Sequence, residues 1–209
     1  MFKKIILAAL VVTSAVFAQI NVGGRAALNF GTVWGENTDD ANWGLGFNAG
    51  VVAKMGINPM LSFVPGLEVD YRRISNDEGE YTQSISFMYI EAPLLLRIQA
   101  TPQFAIDVGP TVAFNVSASI GASDGDNSAS ADIPSDYVTA VEVGAVVGVS
   151  FAVMPNLEVN VRAAMGFMDM LDMKKMMMGD DDDYYGYDYV PDFGFKNMRF
   201  QAGVTYWFM

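Results

Sequence analysis

Histidine and cysteine are both absent from the 209 residues. Without histidine the chain lacks the usual general base and the commonest transition-metal ligand. Without cysteine it has no disulfide and no thiolate metal site. A Ser-His arrangement is impossible and only an unorthodox carboxylate mechanism would remain, so the chain reads as a non-enzyme with no cofactor. Charge is also scarce, at 17% of residues against 52% hydrophobic. That is greasy for a soluble domain and lean for a helical membrane protein. Basic residues are the rarer sign, 12 against 24 acids. Nothing could neutralise phosphates over an extended surface, which argues against nucleic acid as a partner.

Residues 1–18, MFKKIILAALVVTSAVFA, have the three parts of a secretory signal. Lys3 and Lys4 supply the positive start, Ile5–Val12 the apolar run, and Val16-x-Ala18 a small-residue cleavage site before Gln19. A membrane anchor helix is the alternative, but the run is short for a span and a strand pattern begins directly after it. The expectation is an exported protein whose mature chain, 19–209, is one domain. Losing Lys3 and Lys4 takes the formal net charge from -12 to -14.

The mature chain is organised around Tyr89–Phe114, two alternating arms joined by a tight turn at Thr101-Pro102-Gln103. In the first arm Ile90, Ala92, Leu94, Leu96 and Ile98 share one face, and Glu91, Pro93, Leu95 and Arg97 the other. In the second, Phe104, Ile106, Val108, Val112 and Phe114 alternate with Ala105, Asp107, Gly109, Thr111, Ala113 and Asn115. Side chains of a strand point alternately to its two faces, so this is a hairpin with one apolar and one polar side. The same plan recurs over Ile20–Trp34, Trp43–Met55, Leu61–Arg72, Tyr137–Phe151, Leu157–Phe167 and Met198–Met209, which makes eight strands.

Short connections at Asn58-Pro59, Thr101-Pro102 and Pro155-Asn156 take turns with long ones near Gly35–Asn42, Asn76–Glu80, Gly121–Asp136 and Asp169–Lys196. Short turns at one end and long loops at the other are the plan of an all-β, eight-stranded antiparallel up-and-down transmembrane barrel of the outer membrane. A soluble, lipocalin-like carrier would turn the apolar face inward. Three features favour apolar side out. The polar face is rich in glycine, which suits a crowded lumen. The apolar face carries no charge, as a lipid-facing band requires. Trp34, Trp43, Tyr71, Tyr137, Phe151, Tyr206 and Phe208 fall near strand ends, where interfacial girdles belong.

The lumen face then holds six acids, Glu68, Asp70, Glu91, Asp107, Glu142 and Glu158, and six bases, Arg25, Lys54, Arg72, Arg97, Arg162 and Arg199. These balance, while the other acids fall in the long loops or at their edges. Eight strands enclose room only for side chains, so the balanced charges are expected to pair and plug the barrel. A narrow pore for small ions or solutes is the alternative, for which a lining of one sign is expected.

The stretch Tyr89-Ile90-Glu91-Ala92-Pro93-Leu94-Leu95-Leu96-Arg97, followed by Asp107-Val108-Gly109-Pro110, resembles the small outer-membrane β-barrel domain family called porin-like or PorT-like. Middle strands of that family read Y-x-E-x-P-L-L-L-K and then G-P. The architecture is also similar to the OmpA/OmpX type of eight-stranded barrel. The resemblance implies outer-membrane residence in a Gram-negative-type bacterium and no catalytic residues. The chain departs from the usual aromatic last residue of a barrel assembly signal, since Phe208 is penultimate and Met209 last.

The last long segment is the most unusual. Asp180, Asp181, Asp182 and Asp183, with Asp188 and Asp192, offer hard oxygen ligands for calcium or magnesium, though without the spacing of an EF-hand; a solvated acidic loop is the plainer reading. Met168, Met170, Met173, Met176, Met177 and Met178 offer thioethers for a soft ion, or flexible apolar packing. Tyr184, Tyr185, Tyr187 and Tyr189 suit contact with sugars or a partner surface, or an outer aromatic girdle. Asp124-Gly125-Asp126-Asn127 is only faintly calcium-like. The expected partners are outer-membrane lipid and lipopolysaccharide, with divalent cations or a surface partner at the loops, and the expected state is a monomer.

Overall fold

A computed structural model describes residues 20–35, 43–78, 81–123, 127–171 and 194–208. Its strands are β1 (Ile20–Trp34), β2 (Gly44–Asn58), β3 (Leu61–Glu78), β4 (Tyr81–Gln99), β5 (Phe104–Ser123), β6 (Ser128–Asp132), β7 (Val141–Met154), β8 (Leu157–Asp169) and β9 (Lys196–Phe208). All pair antiparallel. Their order is β4-β3-β2-β1-β9-β8-β7-β5, and pairing of β4 with β5 closes the ring. The result is an eight-stranded barrel, with β6 a short addition that pairs, among the described residues, with β5 alone.

The alternation assigns the faces as the residues dictate. Leu28, Phe47, Leu67, Ile90, Val108, Val147, Val161 and Phe200 point outward and are exposed, while Arg25, Asn48, Glu68, Glu91, Asp107, Gly148, Arg162 and Arg199 point inward and are buried. The soluble-carrier alternative needs the reverse arrangement and does not fit. Closure leaves no open edge through the apolar band, which is the condition for a sheet to cross a bilayer.

Two expected loops are corrected by the structure. Asn76–Glu80 is not a long connection, because β3 and β4 stay paired up to Glu78↔Tyr81. Gly121–Asp136 contains the end of β5 and all of β6, and the strand expected from Tyr137 begins at Val141 after a 3-10 turn over Ser135–Tyr137. The reason is common to both. Once a strand leaves the apolar band, both of its faces meet water and the period-two hydropathy signal fades, although the ladder continues. A register shift at Met88/Tyr89 adds one residue to β5 there. Beyond it the inward set of β5 changes parity, from Thr111 and Ala113 to Ala118.

Inside, the lumen is layered. An apolar cluster of Val33, Phe87, Tyr89, Ala113, Ala118, Val138, Met170 and Leu171 fills the long-loop end. Val138 and Leu171 also form a bridge there. A second cluster, Val52, Val64, Leu95, Val146, Ala164 and Trp207, lies nearer the short turns. Charged side chains occupy the levels between and below.

Candidate functional site: the charged lumen

The twelve charged residues read from the sequence sit on the inner face of all eight barrel strands, from Arg25 on β1 to Arg199 on β9, and all but half-buried Lys54 are buried. Their contacts divide into three groups.

Nearest the short turns, Arg97 donates through Nε to Asp107 Oδ1 at 2.7 Å and through Nη2 to Oδ2 at 3.0 Å. Its Nη1 reaches Glu158 Oε2 at 2.8 Å. Ser150 Oγ receives from Arg97 at 3.1 Å and donates to Asp107 at 2.8 Å. The forked geometry is the strong form of the arginine–carboxylate bond. Lys54 Nζ lies 4.6 Å from the centre of the Trp207 ring, with the Arg97 guanidinium at 5.8 Å from it. Trp207 thus carries a cation–π contact from each.

In the second group Arg25 donates to Glu68 Oε2 at 2.7 Å, to Asn48 and Gln201 at 3.0 Å, and to Asn160 at 3.1 Å. Arg162 is less well served. Its Nη1 is 3.6 Å from Glu68 Oε1 and its Nε has no hydrogen-bond partner among the described residues.

The third group joins Arg72 and Arg199 to three carboxylates. Arg72 donates to Asp70 at 2.7 Å, and to Glu142 and Glu91 at 2.8 Å. Its guanidinium also lies 4.1 Å from the Tyr89 ring centre. Arg199 donates to Glu91 and stands 3.6 Å from Asp70. Thr111 donates to Glu91 at 2.7 Å, and Asn29 to Asp70 at 2.5 Å. Glu68 and Glu91 stand directly opposite on β3 and β4. That like-charge pairing is unfavourable by itself, and the guanidiniums offset it.

The acid and base positions come from parity alone. The neutral residues that complete the bonding, Asn29, Asn48, Thr111, Ser150, Asn160 and Gln201, sit on the same face but carried no distinguishing signal. Trp207 and Leu95 share that face too, although no charge pattern marks a second apolar cluster. Of the methionines, Met170 packs into the outer apolar cluster and Met168 is exposed. The signal region 1–18, Asp180–Asp183 with Asp188 and Asp192, Met173 and Met176–Met178, the tyrosines of 184–189 and Asp124–Asp126 lie outside the described residues.

A family model described as outer membrane protein beta-barrel domain matches residues 17–172. Among curated proteins none matches the sequence. The solved structure of Neisserial surface protein A (NspA) is similar at a TM-score of 0.53 and 18% identity, over 90% of this chain and 97% of that one. Ail, the attachment invasion locus protein of Yersinia pestis, solved in complex with the heparin analogue sucrose octasulfate, is similar at 0.50 and 11% identity, over 91% and 99%. At these identities the likeness is one of fold.

Proposed function

The chain belongs to the outer membrane protein beta-barrel domain family, and from that premise we propose that it is a non-enzymatic barrel whose lumen is closed by paired charges and whose outer loops carry its role. One observation carries the reading. Each of Arg72, Arg97 and Arg199 is at least 96% buried and bonds carboxylates from other strands across the lumen. Side chains so fixed leave no continuous water path, and the lumen lacks the excess of one sign that a selective pore needs. Export by the segment 1–18, with a mature start at Gln19, belongs to the same reading. So do divalent cations at Asp180–Asp183 and sugars or a partner surface at the tyrosines of the last loop.

The mature protein in planar bilayers tests this. A silent membrane, with a folded barrel confirmed by its heat-modifiable gel shift, is the expected result. Discrete openings would make the protein a narrow pore instead.

A further inference from the structure

Three prolines lie within spanning strands, Pro65 in β3, Pro93 in β4 and Pro110 in β5. Pro93 and Pro110 belong to the two motif segments of the sequence, and the charge network uses neither. Proline has no N–H, so it deletes one ladder bond on the side its nitrogen faces.

The registers say which side that is. Pro65 keeps its pairing with Leu94 of β4, Pro93 with Thr111 of β5, and Pro110 with Ala145 of β7. Each nitrogen therefore faces the preceding strand, and there the pairing lapses. Between β2 and β3 it passes from Val52↔Gly66 to Met55↔Phe63. Between β3 and β4 it passes from Pro65↔Leu94 to Glu68↔Glu91, and between β4 and β5 from Pro93↔Thr111 to Leu96↔Val108. Register is the same on both sides of each gap, so these are deleted bonds and not bulges. The carbonyls across from the prolines, on Ala53, Gly66 and Leu94, lose their ladder donors. Gly109 lets β5 lie close to β4 at this level, since a Cβ there would stand 2.2 Å from the Leu94 carbonyl oxygen. The strands touch without a bond to hold them.

Behind the gaps lies the apolar layer of Val52, Val64, Leu95, Val146, Ala164 and Trp207. On the same strands the next levels are charged, with Glu68 and Glu91 on one side and Arg97 and Asp107 on the other. Outside the gaps, Leu94, Leu96 and Val108 face the bilayer.

We propose that this wall is a lateral passage, by which one hydrocarbon chain of an outer-membrane lipid enters between β3, β4 and β5 and lies against Leu95 and Trp207. Parting two strands in lipid ordinarily leaves backbone groups unsatisfied at several kcal/mol each, which keeps barrels shut. Here three of those bonds are already missing, in adjacent seams and at one depth. An ion or a soluble ligand would have to pass a charged level to reach the layer, whereas an acyl chain from the bilayer meets apolar side chains as far as Leu95 and reaches cations, Lys54 and Arg97, only where they lie against the Trp207 ring. The proposal rests on placement in the outer membrane and not on whether the lumen conducts.

Trp207 is the reporter. With Trp34→Phe and Trp43→Phe it is the only tryptophan of the chain. The folded protein is placed in phosphatidylcholine vesicles whose acyl chains are brominated, and its emission is compared with that in unbrominated vesicles. A protein keeping Trp43 alone, on the outer surface, gives the reference for full lipid contact. Entry of a chain quenches Trp207, and Pro93→Val with Pro110→Val, which restores two N–H groups, removes most of that quenching. Unquenched Trp207, or quenching that the restored seams leave unchanged, overturns the passage. Gel shift checks that each variant folds, and if the double replacement does not, Pro93→Val alone must lower the quenching.

Discussion

From β5 through β7, β8 and β9 to β1 and β2, no proline cuts the ladder, which shifts register only near strand ends, at Ala152/Met154 between β7 and β8 and at Met165/Asp169 between β8 and β9. From β2 through β3 and β4 to β5, every seam is cut once by a proline. The two walls also differ in charge. The interrupted wall, β3 to β5, carries Glu68, Asp70, Glu91 and Asp107 against Arg72 and Arg97. The facing strands carry Arg25, Arg162 and Arg199 against Glu142 and Glu158. Ion pairs accordingly span the lumen, Arg25 to Glu68, Arg72 to Glu142, Arg97 to Glu158 and Arg199 to Glu91. Where backbone bonds are missing, side chains tie the wall to the opposite side.

Removing a tie is the most severe way to break that comparison. Arg72→Ala leaves Asp70, Glu91 and Glu142 with Arg199 as their remaining close cation. Breaking a buried pair from one side typically costs about 3–5 kcal/mol, because the surviving charge is uncompensated. Denaturant unfolding in vesicles, followed by gel mobility, is the measurement. Arg162→Ala should cost clearly less, since that guanidinium holds its carboxylate only at 3.6 Å. Equal losses at the two sites would mean that burial, and not the cross-lumen bond, sets the energy.

A smaller and opposite effect is expected at the seams. Pro93→Val restores an N–H opposite Gly66, and one net hydrogen bond contributes about 1 kcal/mol. Part of that is offset by the freedom that the unfolded chain regains without proline. Amide exchange sharpens the same contrast without mutation. Amides of β3 and β4 flanking the gaps should exchange faster than those of β8 and β9 at the same depth, and uniform protection would count against an interrupted wall.

Much of this was legible in the sequence, because a barrel writes its two faces in alternate residues. Parity alone places Glu91 and Arg97 inside and Ile90 and Leu96 outside. It stops being informative where the inner face turns apolar, as at Phe87 and Tyr89, or where both faces meet water, which is why β3 and β4 run past Arg72 and begin before Tyr89. Pairing partners are a separate matter. That Arg72 meets Glu142 depends on strand order and register around a closed ring, which no local pattern encodes. Pro93 and Pro110 stand within the two motif segments of the sequence, but the direction shared by the three strand prolines emerges only when each is set against its two neighbours.

The mildest test concerns the turns that set those registers. At the β2–β3 turn, Asn58 Oδ1 accepts from the backbone N–H groups of Met60 and Leu61, both at 2.9 Å. An asparagine side chain used this way fixes the turn that starts the first interrupted seam. At the β7–β8 turn the corresponding bond is from Trp207 N to the backbone carbonyl of Asn156. Asn58→Ala therefore removes bonds, at a cost of roughly 0.5 kcal/mol for an exposed site, while Asn156→Ala leaves its carbonyl in place and should be close to neutral. The same unfolding assay separates them. Equal losses at both turns would mean that closure of the ring, and not its own turn, holds the interrupted wall in register.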